Sequence, residues 1–252
     1  MSPRPLSRGP LSRGMVPLAI LNGSLVLGLV FAAAFTAHGQ QPAKGPEGGA
    51  KEGKGKGKGP ARPPLFFREE WKQTAAGGEH ALLPESVGNP DLTLNLLGPT
   101  GKEILLTGAA ADENNPIHLW TGMCTTPCAF TLKHKTNYAD LTGLARIRLV
   151  SKTSGFHQLR PLIKTAEGMW LVGDRTDGSL TDWIESEFNV SDIRWLRVDP
   201  TRMVTSGTWI NNPDLSKVDE IGFADLMPSS GHGPGGWSDV GKVEVFAKSV
   251  PR

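Results

Sequence analysis

The stretch Leu144-Ala-Arg-Ile-Arg-Leu-Val-Ser151 alternates apolar and polar side chains, which places Ile147 and Leu149 on one side of an extended chain. The same period of two recurs in Phe156-His-Gln-Leu-Arg-Pro-Leu-Ile-Lys164. Such alternation is typical of strands that bury one face against a core. No helical pattern alternates with these segments, so a parallel α/β sheet is disfavoured.

Short apolar runs of the same kind continue on both sides of this pair. They cover Leu92 to Leu97, Glu103 to Thr107, Phe130 to Lys135, Met169 to Gly173, Trp183 to Val190, Lys217 to Ala224 and Lys242 to Lys248. The chain also holds 31 glycines and 20 prolines. These residues destabilise helix interiors by roughly 1 and 3 kcal/mol each, so turns must be many. The pattern predicts an all-β sandwich or barrel over residues 65–252.

Three segments of this domain resemble a known family. Tyr138-Ala-Asp-Leu-Thr-Gly-Leu-Ala-Arg-Ile-Arg-Leu149 resembles the start of a strand in galactose-binding-like jelly rolls. Asp214-Leu-Ser-Lys-Val-Asp-Glu-Ile-Gly-Phe223 is similar to their late strand, and Val240-Gly-Lys-Val-Glu-Val-Phe246 to their closing strand. The order, with a tryptophan near position 183 between them, resembles carbohydrate-binding modules, the complex I intermediate-associated family and a set of secreted bacterial proteins. The resemblance implies a jelly-roll β-sandwich more than it implies a function.

The first 39 residues have the layout of a secretory signal peptide. Three arginines precede an uncharged stretch from Val16 to Phe35, and small side chains follow it. We expect cleavage after Gly39 and therefore a secreted, periplasmic or cell-surface protein. A retained anchor is the alternative, because about 20 apolar residues can span a bilayer.

Residues 40–64 are predicted to form a disordered linker. Lysine and glycine alternate from Lys54 to Lys58, and apart from proline the segment has no apolar residue larger than alanine. Nothing there can offset the conformational entropy that ordering would cost. The formal net charge is +2, but the positive excess lies before residue 65. The remaining domain is mildly acidic, which argues against a nucleic-acid partner.

Cys124 and Cys128 are the only cysteines, in the sequence Cys-Thr-Thr-Pro-Cys. In an exported chain, an even count with a turn-forming Thr-Pro between the two favours a local disulfide. A strained or partly reduced pair without functional meaning is the alternative. A zinc site is disfavoured because no second ligand pair occurs at metal spacing.

Polar sides of neighbouring predicted strands offer a candidate ligand-binding set. Its members are Arg148, Gln158, Arg160 and Trp170, with Asp174 and Arg175 at a strand end. Arginine supplies a rigid five-donor fork and tryptophan a stacking surface, a combination suited to saccharides. The partner expected from this set is a polysaccharide or an acidic glycan; because Lys164 joins the same face, a ligand bound there should be a polyol bearing carboxylate or sulfate. The alternative is that the arginines pair with acids such as Glu185 and Glu187.

An enzymatic alternative rests on Glu185 and Glu187, two positions apart on a predicted strand. Their carboxylates would point the same way, about 6 to 7 Å apart by strand rise, near the separations that glycoside hydrolases use. Laminarinase-like sandwich hydrolases align three acids on one strand, but Asn189 stands at the third position here. We therefore predict a non-catalytic binding module for carbohydrate or another extracellular polymer. A glycoside hydrolase or lyase and a structural assembly protein at the cell surface remain alternatives.

Other polar and aromatic residues receive structural interpretations. Trp120, Trp195 and Trp209 are expected to pack in the core or at sheet edges rather than to serve as binding platforms. We expect no cofactor. Asp112-Glu-Asn-Asn115 gathers oxygen ligands in a turn, so a structural calcium is the alternative. The spacing does not match an EF-hand loop, and a solvated turn is the simpler interpretation. Asn189-Val-Ser191 fits an N-glycosylation acceptor.

Overall fold

The computed structural model of the protein describes residues 61–74, 78–178, 180–227 and 236–252. The predicted signal peptide and most of the predicted linker lie outside these residues. Within them the regular structure consists of sixteen strands and three short 3₁₀ turns. The strands are β1 (Leu65–Glu70), β2 (His80–Ala81), β3 (Leu92–Leu97), β4 (Leu105–Thr107), β5 (His118–Trp120), β6 (Cys128–His134), β7 (Asn137–Asp140), β8 (Arg146–Ser154), β9 (Leu159–Thr165), β10 (Trp170–Gly173), β11 (Ile184–Asn189), β12 (Trp195–Asp199), β13 (Val204–Ile210), β14 (Val218–Asp225), β15 (Trp237–Phe246) and β16 (Lys248–Pro251).

The described strands form two antiparallel sheets, which confirms the prediction of an all-β jelly-roll sandwich. The seven-strand sheet runs β11–β8–β15–β5–β4–β2, with β1 also paired to β15. The nine-strand sheet runs β13–β12–β10–β9–β14–β6–β3, with β7 paired to β14 and β16 paired to β7. The chain crosses repeatedly from one sheet to the other, for example from β8 to β9 and from β14 to β15. Strands that follow each other in sequence are therefore often in opposite sheets.

The alternating segments build the core between the two sheets. Ile147 and Leu149 of β8 are fully buried, and Leu159 and Ile163 of β9 meet them from the other sheet. Phe223 of β14 lies in the same apolar cluster. Burial of one such side chain stabilises the fold by roughly 1.5 to 3 kcal/mol. The period of two in the sequence thus identified the core-facing sides of both strands.

The nine-strand sheet also buries apolar residues on its outer face, because it curls. Leu162 of β9 and Val172 of β10 alternate with core residues, yet both are buried in a second cluster with Met203. The amide of Gly98, just after β3, donates to the carbonyl of Pro200, just after β12, over 3.0 Å. Gly98 has a left-handed φ of +86°, and a Cβ there would come within 2.5 Å of the Pro127 carbonyl oxygen and 2.9 Å of Met203 Cγ, so only glycine fits. The two edges of the sheet therefore meet at this end.

Two local predictions have clear outcomes. Cys124 and Cys128 form the predicted disulfide at the start of β6, with their Cα atoms 6.3 Å apart. The strand predicted over residues 103–107 is shorter, because Gly101–Glu103 is a 3₁₀ turn and β4 covers only Leu105–Thr107. Among the described residues, no helix has the length and apolarity that crossing a membrane requires.

Candidate functional site

The structure divides the predicted ligand-binding residues between two faces of the sandwich. Arg148 lies on β8 of the seven-strand sheet, whereas Arg160 and Trp170 lie on β9 and β10 of the nine-strand sheet. The prediction that these three share one face is wrong. Its physical reason is the crossing of the chain between β8 and β9, which pair with β15 and β14 rather than with each other.

Arg148 belongs to a row of charges on the outer face of the seven-strand sheet. Its Nε donates to Glu187 Oε2 over 2.7 Å, and its Nη1 lies 3.8 Å from Glu185 Oε1. Lys242 Nζ lies 3.6 Å from the other oxygen of Glu185. Both acids considered for catalysis are thus engaged with basic side chains. The alternative that Arg148 pairs with these acids is the arrangement observed.

The outer face of the nine-strand sheet carries Arg160, Lys164 and Trp170. Arg160 Nη1 donates to the carbonyl of Asp174 over 3.2 Å. Lys164 Nζ donates to Glu220 Oε1 over 3.0 Å and lies 5.3 Å from the centre of the Trp170 ring. The ammonium is therefore already paired with a carboxylate and lies above the aromatic ring. The expected concentration of unpaired positive charge on this face is not formed.

The remaining predicted residues lie in loops at the ends of strands. Gln158 is half-buried just before β9. Asp174 follows β10 and accepts two hydrogen bonds from Arg194, from its backbone amide over 2.9 Å and from its Nε over 2.8 Å. Arg175 Nε donates to the carbonyl of Asp192 over 3.1 Å. Asp174 and Arg175 thus lie at the border of a group of surface clefts.

A cleft of about 1030 Å³ opens beside the β12–β13 hairpin, and we name it the Trp209 cleft. It is lined by Val190, Ser191, Ile193, Arg194, Trp195, Trp209, Ile210, Asn211, Asn212, Pro213 and Leu215. The Trp209 side chain is 43% exposed, and the guanidinium carbon of Arg194 lies 4.5 Å from the centre of its ring. The cleft therefore combines an aromatic surface, an arginine and two amide side chains.

Strand register explains why Trp209 points outward. Trp195 pairs with Ile210 and faces the core, where it is buried as predicted. Trp209 pairs with Leu196 on the opposite side of both strands, because side chains alternate along a strand. Asn212 then adopts a left-handed φ of 49°, which asparagine tolerates better than most residues, and turns the chain along the cleft. Trp209 lies on the edge strand β13, in line with the expectation for it, and 43% of its surface is exposed.

The electrostatics of the Trp209 cleft depend on one ion pair. Burial raises the pKa of Asp174, but the hydrogen bonds from the side chain and backbone of Arg194 outweigh this effect and hold it below its usual value. Asp174 is therefore ionised at neutral pH and balances the charge of Arg194. Among the described residues that line the cleft, Arg194 is the only one with an ionisable side chain.

Two smaller clefts adjoin the Trp209 cleft around the 3₁₀ turn Val190–Asp192. One of about 260 Å³ is lined by Arg62, Leu144, Ala145, Arg146, Glu187, Asn189, Ser191 and Asp192. The other, of about 390 Å³, is lined by Arg175, Thr176, Ser186, Glu187, Phe188, Asn189 and Asp192. Ser191 lines both the Trp209 cleft and the first of these. The depression at this end of the sandwich thus extends beyond a single cleft.

A second tryptophan cluster lies on the seven-strand sheet. Lys152 Nζ lies 4.9 Å from the Trp183 ring, 5.3 Å from the Trp237 ring and 3.3 Å from Asp239 Oδ2. Burial raises the pKa of Asp239 to about 7, against the opposing influence of the Lys152 charge and hydrogen bond. Nε2 of the buried His118 lies 3.6 Å from the same carboxylate. Asp239 is only 3% exposed, so its carboxylate is closed to large ligands, whereas Trp183 and Trp237 are half-buried.

The turn considered for calcium is stabilised by its own hydrogen bonds. Asp112 Oδ1 accepts from the amides of Asn114 and Asn115 over 3.0 and 3.1 Å. Trp183 Nε1 donates to the carbonyl of Asn114 over 3.3 Å. Among the residues that the structure describes, no group of three or more His, Cys, Asp or Glu side chains has a metal-binding arrangement.

No protein-family model matches the chain, and no curated protein matches it. Solved structures similar to it include the family 11 carbohydrate-binding module of the cellulosomal cellulase Lic26A-Cel5E of Clostridium thermocellum. The match has 17% identity and a TM-score of 0.37, and covers 70% of this chain and 96% of that one. Arcelin-5, a lectin-like defence protein from Phaseolus vulgaris, is similar at 9% identity and a TM-score of 0.29, covering 70% of this chain and all of arcelin-5 (100%). An exo-β-agarase is similar at 8% identity and a TM-score of 0.37, covering 70% of this chain and 25% of the agarase.

Proposed function

We propose that this protein is an exported, non-catalytic carbohydrate-binding module whose saccharide site is the Trp209 cleft. The observation that supports the proposal is the exposed Trp209 ring at the side of a cleft that also holds Arg194, Asn211 and Asn212. Ligand sites combine apolar and aromatic surface with a few polar groups that fix orientation. The C–H faces of a sugar ring can pack on an aromatic ring while its hydroxyls bind polar side chains.

The polar groups of the cleft suit hydroxyl ligands. Each asparagine side chain offers two donors and an acceptor, so Asn211 and Asn212 can both give and receive hydrogen bonds. Arg194 uses Nε for Asp174, and among the described residues its two terminal nitrogens have no hydrogen-bond partner. A sugar hydroxyl in the cleft could accept from these nitrogens. The donors are held in place because Asp174 fixes the guanidinium.

The surroundings of Glu185 and Glu187 favour binding over hydrolysis. A general acid must be able to present a proton to the glycosidic oxygen, and its partner must reach the opposite side of the bond. Here both carboxylates are engaged by Arg148 or Lys242 on the outer face of the seven-strand sheet. That face carries a row of alternating charges, and Trp183 and Trp237 at the same sheet are half-buried, less exposed than Trp209.

Export is part of the proposal and rests on the N-terminal sequence. A positively charged start, an apolar stretch and small residues are the layout of a secretory signal. The Cys124–Cys128 disulfide supports an oxidising compartment, since such bonds are rare in reducing cytosol.

Binding to soluble and insoluble polysaccharides by the full secreted chain tests the proposal. We expect Trp209→Ala to weaken saccharide binding by about tenfold or more. Packing of a ring against one aromatic side chain contributes on the order of 1 kcal/mol or more. Phe156→Ala is the matched control, since Phe156 is 80% exposed and lies outside the cleft. Equal loss in both variants, or binding unchanged by Trp209→Ala, would refute the Trp209 cleft as the site.

A further inference from the structure

We infer that the Trp209 cleft takes a segment of an uncharged polysaccharide rather than one bearing carboxylate or sulfate. The inference rests on the proposed function and assigns the class of ligand to the same site. It also departs from the expectation, drawn from the sequence, of an acidic glycan held by a cluster of arginines and lysines.

The charges at the cleft balance each other. Among the described residues lining it, Arg194 carries the only formal charge, and Asp174 neutralises that charge through two hydrogen bonds. Asp174 stays ionised at neutral pH, since its pKa is held below the usual value. The pair therefore contributes a strong dipole but no net charge. A dipole orients hydroxyl groups well, whereas selective capture of anions needs an excess of positive charge.

Acidic residues lie at the rim of the cleft. Asp192 lies next to Ser191 on the turn that separates the clefts, and its carboxylate accepts from Ser191 Oγ and from Asn189 Nδ2, each over 3.2 Å. A sulfate or carboxylate reaching the terminal nitrogens of Arg194 would also lie close to the ionised Asp174. Like charges disfavour each other at such separations, most strongly where the surroundings are partly dehydrated.

Three basic residues that the sequence suggested for an anionic ligand already lie near acids. Lys164 is paired with Glu220, and Arg148 is paired with Glu187 on the other sheet. Arg175, which lines a neighbouring cleft together with Glu187 and Asp192, is near acids of its own. Among the described residues that line the Trp209 cleft, Arg194 is the only basic one, so the cleft itself lacks the excess of positive charge that an anionic polymer would need.

The test compares neutral and charged polysaccharides in affinity electrophoresis and calorimetry with the full chain. The probes are a mixed-linkage glucan, a galactomannan, polygalacturonate and a sulfated galactan. Each is measured at about 0.02 M and about 0.5 M NaCl, because screening weakens charge-driven binding. We expect a neutral polymer to bind, to change less than about twofold in affinity with salt, and to lose about tenfold affinity in Trp209→Ala.

Asp174→Asn provides the matched variant. It removes the neutralising charge while keeping the shape of the side chain, so we expect it to acquire salt-sensitive binding of polygalacturonate that the parent lacks. Binding of only charged polymers by the parent, lost in Trp209→Ala, would overturn this inference and leave the proposed function intact. Binding of none of the probes would overturn both.

Discussion

The two tryptophan clusters place a cation against an indole ring in contrasting ways. On the seven-strand sheet, Lys152 fills the space between Trp183 and Trp237 and contacts a carboxylate that is almost fully buried. On the nine-strand sheet, Arg194 contacts one ring among the described residues, that of Trp209, and a cleft of about 1030 Å³ remains beside it. The contact between a cation and an indole ring thus lies against a buried carboxylate on the seven-strand sheet and beside an open cleft on the nine-strand sheet. We call the first cluster closed and the second open. We interpret the closed cluster as part of the stability of the fold and the open one as the binding site.

The largest effect is expected from breaking the closed cluster. Lys152→Met leaves the buried Asp239 without its lysine partner, and at about pH 9, where that carboxylate is ionised in the parent, the loss of its partner costs about 3 kcal/mol. Chemical denaturation should show this loss, while saccharide binding at low temperature stays unchanged. The double variant Lys152→Met/Asp239→Asn is the control and should recover much of the stability, because no unpaired charge is left. A loss below about 1 kcal/mol in the single variant would show that the cluster is not a stabilising element.

A smaller effect should appear in the pH dependence of stability. Burial raises the pKa of Asp239 to about 7, far above the value of a solvated aspartate, so the folded state holds this proton more tightly than the unfolded state. The contribution of Asp239 is therefore fully present at low pH and is lost as the pH rises from about 4 through 7. His118, whose pKa is lowered by burial, acts in the opposite direction at acidic pH.

The difference between parent and Asp239→Asn isolates the aspartate from the other titrating groups. We expect that difference in unfolding free energy to change by about 1 to 2 kcal/mol between about pH 5.5 and about pH 7, with the variant gaining relative to the parent as the pH rises. Thermal denaturation across this range measures it. A constant difference would mean that Asp239 titrates as an exposed residue does.

The smallest effect on stability is expected at the open cluster. Trp209→Ala removes an exposed ring outside the core, so its unfolding free energy should stay within about 0.5 kcal/mol of the parent. Together with the loss of saccharide binding, this would separate the two clusters cleanly. A large destabilisation would instead assign Trp209 a packing role, and the closed and open tryptophan clusters would then no longer differ in function.

Sequence reasoning identified the core faces of strands but not the neighbours of those strands. The alternation around Ile147 and Leu149 was sufficient to predict their burial, because it depends only on local geometry. Whether Arg148 and Arg160 share a face depends on pairing with β15 and β14, far along the chain. The burial of Leu162 also depends on tertiary structure. Leu162 lies on the outer face of the nine-strand sheet, and the curl of the sheet explains why it is buried there.

The Trp209 cleft was missed because β13 carries a weak signal. Its sequence, Val-Thr-Ser-Gly-Thr-Trp-Ile, has few apolar residues, and most of its positions are exposed at the edge of the sheet. The sequence Asn211-Asn212-Pro213 that follows is typical of a turn at the surface. A tryptophan directly before such a turn could have indicated an exposed ring. The partnership of Arg194 with Asp174 could not, since it joins two loops through the tertiary structure.

The hydrogen bond between the Gly98 amide and the Pro200 carbonyl holds the turn of the β12–β13 hairpin. The two strands of the hairpin also pair with each other along their length. The hairpin that presents Trp209 is therefore restrained at both its base and its tip. Ordering a mobile side chain on binding costs about 0.5 to 1.5 kcal/mol. A ring carried by a restrained hairpin has less of that freedom to lose. On the proposed function, the curl of the nine-strand sheet would strengthen binding through preorganisation, without any contact with the ligand.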